Sequence, residues 1–110
     1  PMLQSKVVEA WAESESYALS IYHTASKMLA GGSIGSESSL GKIFWSELDH
    51  MMHQTALKIL GASAELADSS EHDAAQWIKG FMFSYGGPIY AGTNEIQKNI
   101  IAERLLGLPK

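Results

Sequence analysis

Cysteine is absent from this chain of 110 residues. Its absence excludes a disulfide framework and a metal site built on thiolates. Long apolar runs are absent as well: no segment approaches the length of a membrane span, and the first residues lack the charged and apolar blocks of a signal peptide. We therefore expect a cytoplasmic protein without a membrane partner.

Basic residues are scarce. The chain has eight Lys and Arg against twelve Asp and Glu, which gives a net charge of −4. Nucleic-acid binding depends on clustered basic side chains, and these eight are scattered, so no nucleic-acid partner is expected. Only 18% of the residues are charged, while 45% are hydrophobic. This balance predicts a globular chain, part of whose apolar surface meets a partner.

What the chain does have is helical periodicity. Apolar residues recur at three- and four-residue steps in four segments, which predicts helices over residues 3–29, 38–60, 73–84 and 94–106. Glycine or proline interrupts the pattern after each segment, and no strand is predicted. We therefore predict an all-α fold, an antiparallel four-helix bundle of the up-down type, that forms one domain over residues 1–110.

Polar residues mark the expected starts of the second and third helices. Ser38 or Ser39 is expected to cap the second helix and Asp73 the third, because a side-chain oxygen at this position accepts a bond from a free backbone N–H. Residues 62–72 are polar and without a period. They are expected to form a loop.

Glu47, His50 and His53 lie at three-residue steps on the second predicted helix. A Glu-x-x-His pair is half of the ligand set of di-iron bundles, but no second pair occurs in the chain. We therefore expect no metal site and interpret the two histidines as surface or interface residues. Four other acidic residues are interpreted as solvated loop and cap residues rather than as acid–base catalysts. They are Asp49, Asp68, Glu71 and Asp73.

A tight turn precedes the fourth predicted helix. It contains Gly92, Thr93 and Asn94. Asn94 with Gln97 three residues later fits a capping box, and Thr93 is the alternative cap. The free N–H groups of such a helix start, together with the helix dipole, favour an anion. Composition alone leaves two interpretations open, a plain helix start and an anion-binding one.

The residues around this turn carry a longer pattern. It reads Ile89-Tyr90-Ala91-Gly92-Thr93-Asn94-Glu95-Ile96-Gln97, continues with Asn99-Ile100-Ile101-Ala102-Glu103-Arg104 and ends with Leu106-Gly107-Leu108-Pro109. This pattern resembles the C-terminal signature of the acyl-CoA dehydrogenases. The helix lengths also resemble that family's C-terminal helical domain, with its first helix missing or nearly so. Because the sequence starts at Pro1 within a predicted helix, we expect a fragment that lacks the family's N-terminal and β domains.

The resemblance implies a flavin enzyme with FAD as its cofactor. Such an enzyme takes a proton from the α-carbon of an acyl-CoA thioester and a hydride from the β-carbon, leaving the trans-2-enoyl-CoA. The residues implied at the FAD contact are Thr93, Asn94 and Glu95. The residues implied beside the thioester are Tyr90, Ala91 and Gly92. An electron-accepting flavoprotein or a similar acceptor and a homo- or hetero-oligomer are the implied partners.

A second element of the family is a Gln-x-x-Gly-Gly segment, which contacts the adenine and pyrophosphate end of an FAD held mainly by the neighbouring subunit. The matching stretch here is Lys58-Ile59-Leu60-Gly61-Ala62. Lys58 stands in place of the Gln, and Ala62 stands in place of the second Gly. The resemblance thus implies cofactor contacts from Gly61 and from Lys58, whose ammonium group can pair with a phosphate.

Ala91 is the larger departure from the family pattern. Many members carry Glu there as the catalytic base, and a methyl group accepts no proton, so the chemistry would lose a factor of roughly 10²–10⁴. Two explanations stay open. The base lies on a preceding helix, or this chain is the subunit without a base in a pair such as those of steroid-degrading bacteria. The departures favour a specialised branch of lipid or steroid catabolism with bulky substrates.

Three functions follow from these observations. The first is the C-terminal part of an FAD-dependent acyl-CoA dehydrogenase, which supplies oligomerisation surface and one wall of the FAD and thioester site. The second is a non-catalytic dehydrogenase-like subunit that stabilises an active partner. The third is a free-standing four-helix interaction module. In each case no catalytic residue is assigned within this chain, and the 110 residues alone are expected to be inactive.

Overall fold

The computed structural model describes residues 1–65 and 72–110, apart from the side chains of residues 72 and 73. Within these ranges the chain is helical and has no strand. The elements are α1 (Met2–Leu29), α2 (Ser38–Leu60), a 3-10 helix (Gly61–Glu65), α3 (His72–Ser84), α4 (Asn94–Ile100) and a π-helix (Ile101–Leu105). The predicted all-α fold with four helices is confirmed. No helix in the described ranges is both long and apolar enough to cross a membrane.

Helix α2 is the centre of the fold and packs against α1, α3 and α4. α1 and α2 run antiparallel, because the end of one meets the start of the other. Lys27, near the end of α1, bonds to Glu37 just before α2. At the other end, Leu3 and Ile59 line the same cleft. This arrangement leaves the start of α2 free to contact the segment before α4.

The side chains that α2 buries are mostly small and polar. They are Ser39, Ser46, Leu48 and Thr55. Small side chains let neighbouring backbones approach closely on several sides, and the hydroxyl groups of Ser46 and Thr55 are paired within the fold. Ser46, for example, is fully buried, and its hydroxyl donates to the Ile43 carbonyl at 3.0 Å.

The predicted N-cap of α2 is wrong. The helix begins at Ser38 itself, with Glu37 in the cap position and no bond from a capping side chain. A backbone turn satisfies the first N–H groups instead: Ser38 N donates to Gly35 O at 3.2 Å and Ser39 N to Ser36 O at 3.1 Å. The Ser38 hydroxyl also donates to Gly35 O, at 3.0 Å. Because the turn supplies the acceptors, a capping serine is not needed.

The predicted loop over residues 62–72 is partly wrong. A 3-10 helix, Gly61–Glu65, extends α2 beyond the positive φ of Gly61. α3 already starts at His72, so Asp73 lies inside its first turn rather than at its cap. Helix starts are uncertain by a residue or two when they are predicted from capping patterns. Asp68 and Glu71 fall outside the described residues.

Two histidines of α2 lie in the interface with α3. His50 Nδ1 is 2.9 Å from the Ser84 hydroxyl oxygen, and its ring centroid is 4.5 Å from that of Tyr85. The rings of His53 and Trp77 form a T-shaped pair with centroids 5.4 Å apart. Both histidines are therefore interface residues between helices, as their position on the helix flank indicates.

The fourth helix is shorter than predicted and changes type. α4 ends at Ile100, and the π-helix Ile101–Leu105 follows. Leu106 N donates to Ile101 O at 3.0 Å, five residues back. The chain then leaves the helix at Gly107, whose φ is +68°. Apolar spacing does not separate a π-turn from an α-turn over so few residues, so the change of helix type could not be predicted from the pattern.

Helix α1 carries more apolar surface than α2 can cover. Ala10 is buried on the side that faces α2, whereas Trp11 is 65% exposed and Tyr22 69% exposed. The large apolar side chains of α1 that are exposed are Met2, Val7, Val8, Trp11, Leu19, Ile21, Tyr22, Met28 and Leu29. Exposed apolar surface on this scale is typical of a surface that meets a partner.

Candidate functional site

The segment between α3 and α4 folds back onto the start of α2. Asn94 N donates to Pro88 O at 2.9 Å, which closes residues 88–94 into a compact loop that we call the site turn. Just before it, a Cβ on Gly87 would come within 3.2 Å of the Ser46 Cβ. Glycine at position 87 therefore lets the chain lie directly on α2.

Two exposed residues at the tip of the site turn have left-handed backbones. Ala91 has a φ of +56° and Gly92 a φ of +85°. Glycine adopts this conformation freely, whereas an L-alanine in it costs about 1–2 kcal/mol. Among the described residues, the backbone N–H groups of Gly92 and Thr93 have no acceptor. The tip thus offers free donors on an exposed surface.

The cap of α4 is Thr93, so the preferred prediction of Asn94 was wrong and the alternative was right. Thr93 Oγ1 accepts from Ile96 N at 3.3 Å. Gln97 does not complete a capping box with Asn94. Its side-chain amide donates instead to the Ala91 carbonyl at 3.0 Å, which fixes the tip of the site turn.

The side chain of Asn94 is used inside the fold, where it is only 4% exposed. Its Oδ1 accepts from Lys42 Nζ at 2.8 Å. Its Nδ2 donates to Ser46 Oγ at 3.2 Å and to Glu47 Oε1 at 3.4 Å. All three partners belong to α2. Asn94 therefore ties the start of α4 to the start of α2.

Tyr90 forms the aromatic side of the site turn. Its ring centroid is 6.1 Å from that of Trp45 on α2 and 6.4 Å from that of Phe83 on α3. A Cβ on Gly86 would come within 3.2 Å of this ring. The ring is therefore confined on several sides, although Tyr90 keeps 43% of its surface exposed.

Glu95 is the carboxylate nearest to the tip along the chain, and it is exposed. Hydrogen bonds from its own backbone N–H and from the Thr93 hydroxyl hold the pKa of Glu95 below its ordinary value, and Lys98 and Lys42 lower it further. The carboxylate is therefore charged at neutral pH and is a weak proton acceptor.

The two predicted halves of the cofactor site lie at opposite ends of α2. Lys42 and Ser46, near its start, contact the site turn. Lys58 is exposed in the last turn, and Gly61 follows the helix. At the helical rise of 1.5 Å per residue, Lys58 is about 18 Å beyond Ser46. The structure thus brings residues 90–95 together and keeps Lys58 and Gly61 away from them.

The α2 side of this site was missed by the sequence reasoning. Lys42, Trp45 and Ser46 were assigned no role, and Glu47 was considered only as a metal ligand. Lys42, Trp45 and Ser46 are spaced at three and four residues, so they share one face of α2, and Glu47 directly follows Ser46. Polar positions on one face of a largely apolar helix were the available signal, but their partner lies about fifty residues away in the chain.

Comparisons with known proteins agree with the pattern in the site turn. The chain matches the family described as "Acyl-CoA dehydrogenase, C-terminal domain" over residues 1–106. It is similar to the acyl-CoA dehydrogenase IpdE1 of Mycolicibacterium smegmatis, with 29% identity over all of this chain and 26% of that protein. The acyl-CoA dehydrogenase IpdE1 of Mycobacterium tuberculosis is also 29% identical, over all of this chain and 28% of that protein. No solved structure matches the chain.

The match covers both the site turn and the helix behind it. The chain spans about a quarter of the length of the curated relatives that it matches. Sequence pattern, helical architecture and family match point to the same assignment. The chain belongs to the acyl-CoA dehydrogenase family, whose C-terminal domain it represents.

Proposed function

We propose that this chain is part of an FAD-dependent acyl-CoA dehydrogenase, which oxidises an acyl-CoA thioester to the trans-2-enoyl-CoA. In this proposal the site turn forms one wall of the FAD and thioester site, and the exposed apolar face of α1 contributes to the assembly. The observation that carries the proposal is the exposed tip of the site turn, with its free N–H donors, within the family's C-terminal signature.

The residues of the site turn fit a flavin in chemical terms. A flavin presents carbonyl, hydroxyl and phosphate oxygens, and the N–H groups of Gly92 and Thr93 are unused donors among the described residues. Gly92 has no side chain to block a planar ring, and a Cβ there would come within 2.8 Å of the Gln97 amide nitrogen. Residues 93–95 would contact the cofactor, with Asn94 contributing its backbone because its side chain is bonded to α2.

The bound cofactor would supply the redox chemistry by accepting a hydride from the β-carbon of the substrate. The chain's own residues would orient the thioester: Tyr90, Ala91 and Gly92 form the exposed edge beside which it would lie. Tyr90 is held there by Trp45 and Phe83. A confined aromatic ring next to a small residue leaves space for a bulky acyl group, in line with lipid or steroid catabolism.

The proton acceptor would come from outside the site turn. Ala91 has no ionisable group, and Glu95 is a poor base because the pKa of its carboxyl is lowered. A general base works best when its pKa lies near the operating pH, and the shift of Glu95 is in the opposite direction. We therefore infer that a carboxylate of another segment of the protein abstracts the α-proton.

Lys58 and Gly61 would contact a different cofactor molecule from the one at the site turn. The family resemblance implies contact between this element and an FAD held mainly by the neighbouring subunit, and its separation of about 18 Å from the site turn along α2 is compatible with that arrangement. Lys58 is exposed and can approach a phosphate. The proposal therefore includes an oligomer, with acyl-CoA as substrate and an electron-accepting flavoprotein or a similar acceptor downstream.

The proposal is tested by purifying the complete protein and recording its visible absorption before and after addition of FAD. We expect a flavin spectrum that an acyl-CoA from a panel of fatty, branched and steroid-derived thioesters bleaches under anaerobic conditions. The trans-2-enoyl-CoA should form in the same reaction. A colourless protein that cannot be reconstituted with FAD would refute the proposal.

Ala91 also favours a second candidate, a dehydrogenase-like subunit without catalytic activity that stabilises an active partner. Exchange of the α-proton of an acyl-CoA in heavy water distinguishes the two. An enzyme with its base elsewhere catalyses this exchange without any substitution. A wild-type subunit that lacks a base catalyses no exchange. Its Ala91→Glu variant, which has a carboxylate at the exposed tip, should catalyse exchange.

A further inference from the structure

The amide of Asn94 lies between two opposite charges on α2. Lys42 Nζ is 2.8 Å from its carbonyl oxygen, and Glu47 Oε1 is 3.4 Å from its nitrogen. Ser46, which is fully buried, accepts from the same nitrogen at 3.2 Å. The cation stands at the acceptor end of the amide and the carboxylate at the donor end. The charges therefore fix which way the amide points.

This contact is coupled to the backbone of the site turn. Asn94 is the first residue of α4, and its own N–H closes the site turn by donating to Pro88 O at 2.9 Å. The same residue therefore contacts α2 through its side chain and closes the site turn through its backbone N–H. A shift of the amide between Lys42 and Glu47 would move the closing bond and, with it, the free N–H groups at the tip.

An apolar side chain at position 94 would fill the same buried space. Polar groups that are buried and fully paired often add little net stability, but they define one geometry, because misplacement leaves a charged group unpaired. The part of α2 involved is its start, whose only polar bonds across to α4, within the described residues, are those to Asn94. The arrangement thus defines the position of the start of α4 more than it adds to the stability of the fold.

We propose that Lys42, Ser46 and Glu47 are positioning residues for the flavin-facing turn and act on it through the side chain of Asn94. This inference rests on the proposed function. The residues touch neither cofactor nor substrate. They hold the free N–H donors of the site turn in place, so that their loss changes flavin binding and turnover more than it changes unfolding.

The charges allow a test by exchange of partners. Asn94→Asp keeps the bond to Lys42 but turns a carboxylate oxygen toward Glu47, and two carboxylates in contact repel. Glu47→Gln in the same chain replaces the repulsion with an amide donor and restores the pairing. Lys42→Met removes the cation at the other end. Lys79→Met, on the exposed surface of α3, is the matched control.

The experiment measures FAD affinity, the flavin absorption spectrum, kcat and KM for the complete protein and each variant. We expect N94D and K42M to weaken FAD binding by about tenfold, the change that a lost hydrogen bond to a charged group produces, and to shift the flavin spectrum. N94D/E47Q should return to within about threefold of the wild type on the same scale. K79M should behave as wild type.

Several results would overturn the inference. Unchanged FAD affinity and spectrum in both N94D and K42M would do so, as would a double variant no better than N94D. Should N94D fail to fold, K42M and the double variant still decide between the same outcomes. A wild-type protein that binds no flavin would refute the proposed function itself, whereas a flavin-binding wild type with indifferent variants would refute this inference alone.

Discussion

Ala91 combines two unusual properties at the scale of a single residue. It places a methyl group where the family resemblance predicts a carboxylate, and it holds that methyl group on a left-handed backbone with a φ of +56°. The backbone conformation is imposed by the bonds around it, from Asn94 N to Pro88 O and from the Gln97 amide to the Ala91 carbonyl. Strain held in this way is typical of functional turns.

The strain at Ala91 predicts the effect of a substitution on stability. Ala91→Gly should raise the free energy of unfolding of the chain by about 0.5–1 kcal/mol, because relief of the left-handed alanine exceeds the added entropy of the unfolded glycine. Urea unfolding followed by circular dichroism measures the change. Ala25→Gly, the same substitution at an exposed position in the last third of α1, should lower stability by up to about 1 kcal/mol. A loss of stability in A91G would contradict the proposal that the backbone of Ala91 is strained.

The choice between Thr93 and Asn94 shows where sequence reasoning ends. Both residue types cap helices, and the spacing of Asn94 and Gln97 fits a capping box. The choice is made by Lys42 and Glu47, which engage the Asn94 amide from a distant part of the chain. Local patterns carry no information about such partners. The exposed tip of the site turn was predicted from its residues, whereas the bonds behind it were not.

At the scale of elements, the packing of α2 against α3 depends on a glycine, Gly80, in the interface between them. A Cβ on Gly80 of α3 would overlap the Nε2 atom of His53. The His53 ring cannot easily move, because its Nδ1 is hydrogen-bonded to Asp49 O at 2.8 Å and the ring forms a T-shaped pair with Trp77. Glycine at this position therefore sets the distance between the two helices.

Gly80→Ala should destabilise the chain despite the higher helix propensity of alanine. We expect a loss of about 1–3 kcal/mol from overpacking, measured by thermal or urea unfolding. Gly41→Ala, in α2, meets no atom within 4 Å of the new Cβ and should stabilise by up to about 1 kcal/mol. His53→Ala should remove most of the penalty of G80A. If G80A and G41A change stability in the same direction, the proposed contact is wrong.

The connection from α1 to α2 is closed by an exposed ion pair. Lys27 Nζ lies 2.6 Å from Glu37 Oε1, and this hydrogen bond, together with backbone donors, lowers the pKa of Glu37 from its ordinary value of 4.5. A group whose pKa is lowered by folding stabilises above its unfolded pKa and loses that contribution as the pH falls through the folded pKa.

The expected consequence is a stability difference that depends on pH. Glu37→Gln should lower the melting temperature slightly at pH 7, and the difference from the wild type should vanish as the pH falls well below 4.5. High salt should reduce the difference at pH 7, since the pair is exposed. Differential scanning calorimetry of both proteins at several pH values measures this difference in melting temperature. A difference that persists at low pH would show that Glu37 acts by packing instead.

At the scale of the whole molecule, the chain is more extended than a compact domain of its length. Its radius of gyration is 17.1 Å, against about 13 Å for a compact domain of this length. Its accessible surface is 7801 Å², against roughly 5,900 Å² for a monomer of this mass. The excess, on the order of 1,900 Å², is larger than the roughly 800 Å² that each partner contributes to a standard protein–protein interface.

The composition of the chain already indicates this excess of accessible surface. A chain with 18% charged residues and 45% hydrophobic residues predicts apolar surface for a partner, and the structure locates much of it on α1 and around Tyr90. The helix count and the central place of the site turn also follow from sequence patterns. The identity of the covering surface does not, because it depends on atoms outside this chain.

We therefore predict that the 110-residue chain, expressed alone, associates as its concentration rises and binds a hydrophobic dye. Trp11→Ser with Tyr22→Ser should reduce both effects and leave the helical circular dichroism signal intact, because these side chains are exposed and face away from α2.

Tyr17→Ser is the contrasting variant: Tyr17 stacks on Phe44 of α2 with ring centroids 5.9 Å apart, so its loss should lower stability by about 2–4 kcal/mol. Light scattering, dye fluorescence and thermal unfolding separate the two surfaces. A monodisperse wild-type monomer without dye binding would instead favour a free-standing interaction module, because a domain taken from a larger assembly exposes the surface that the assembly covers.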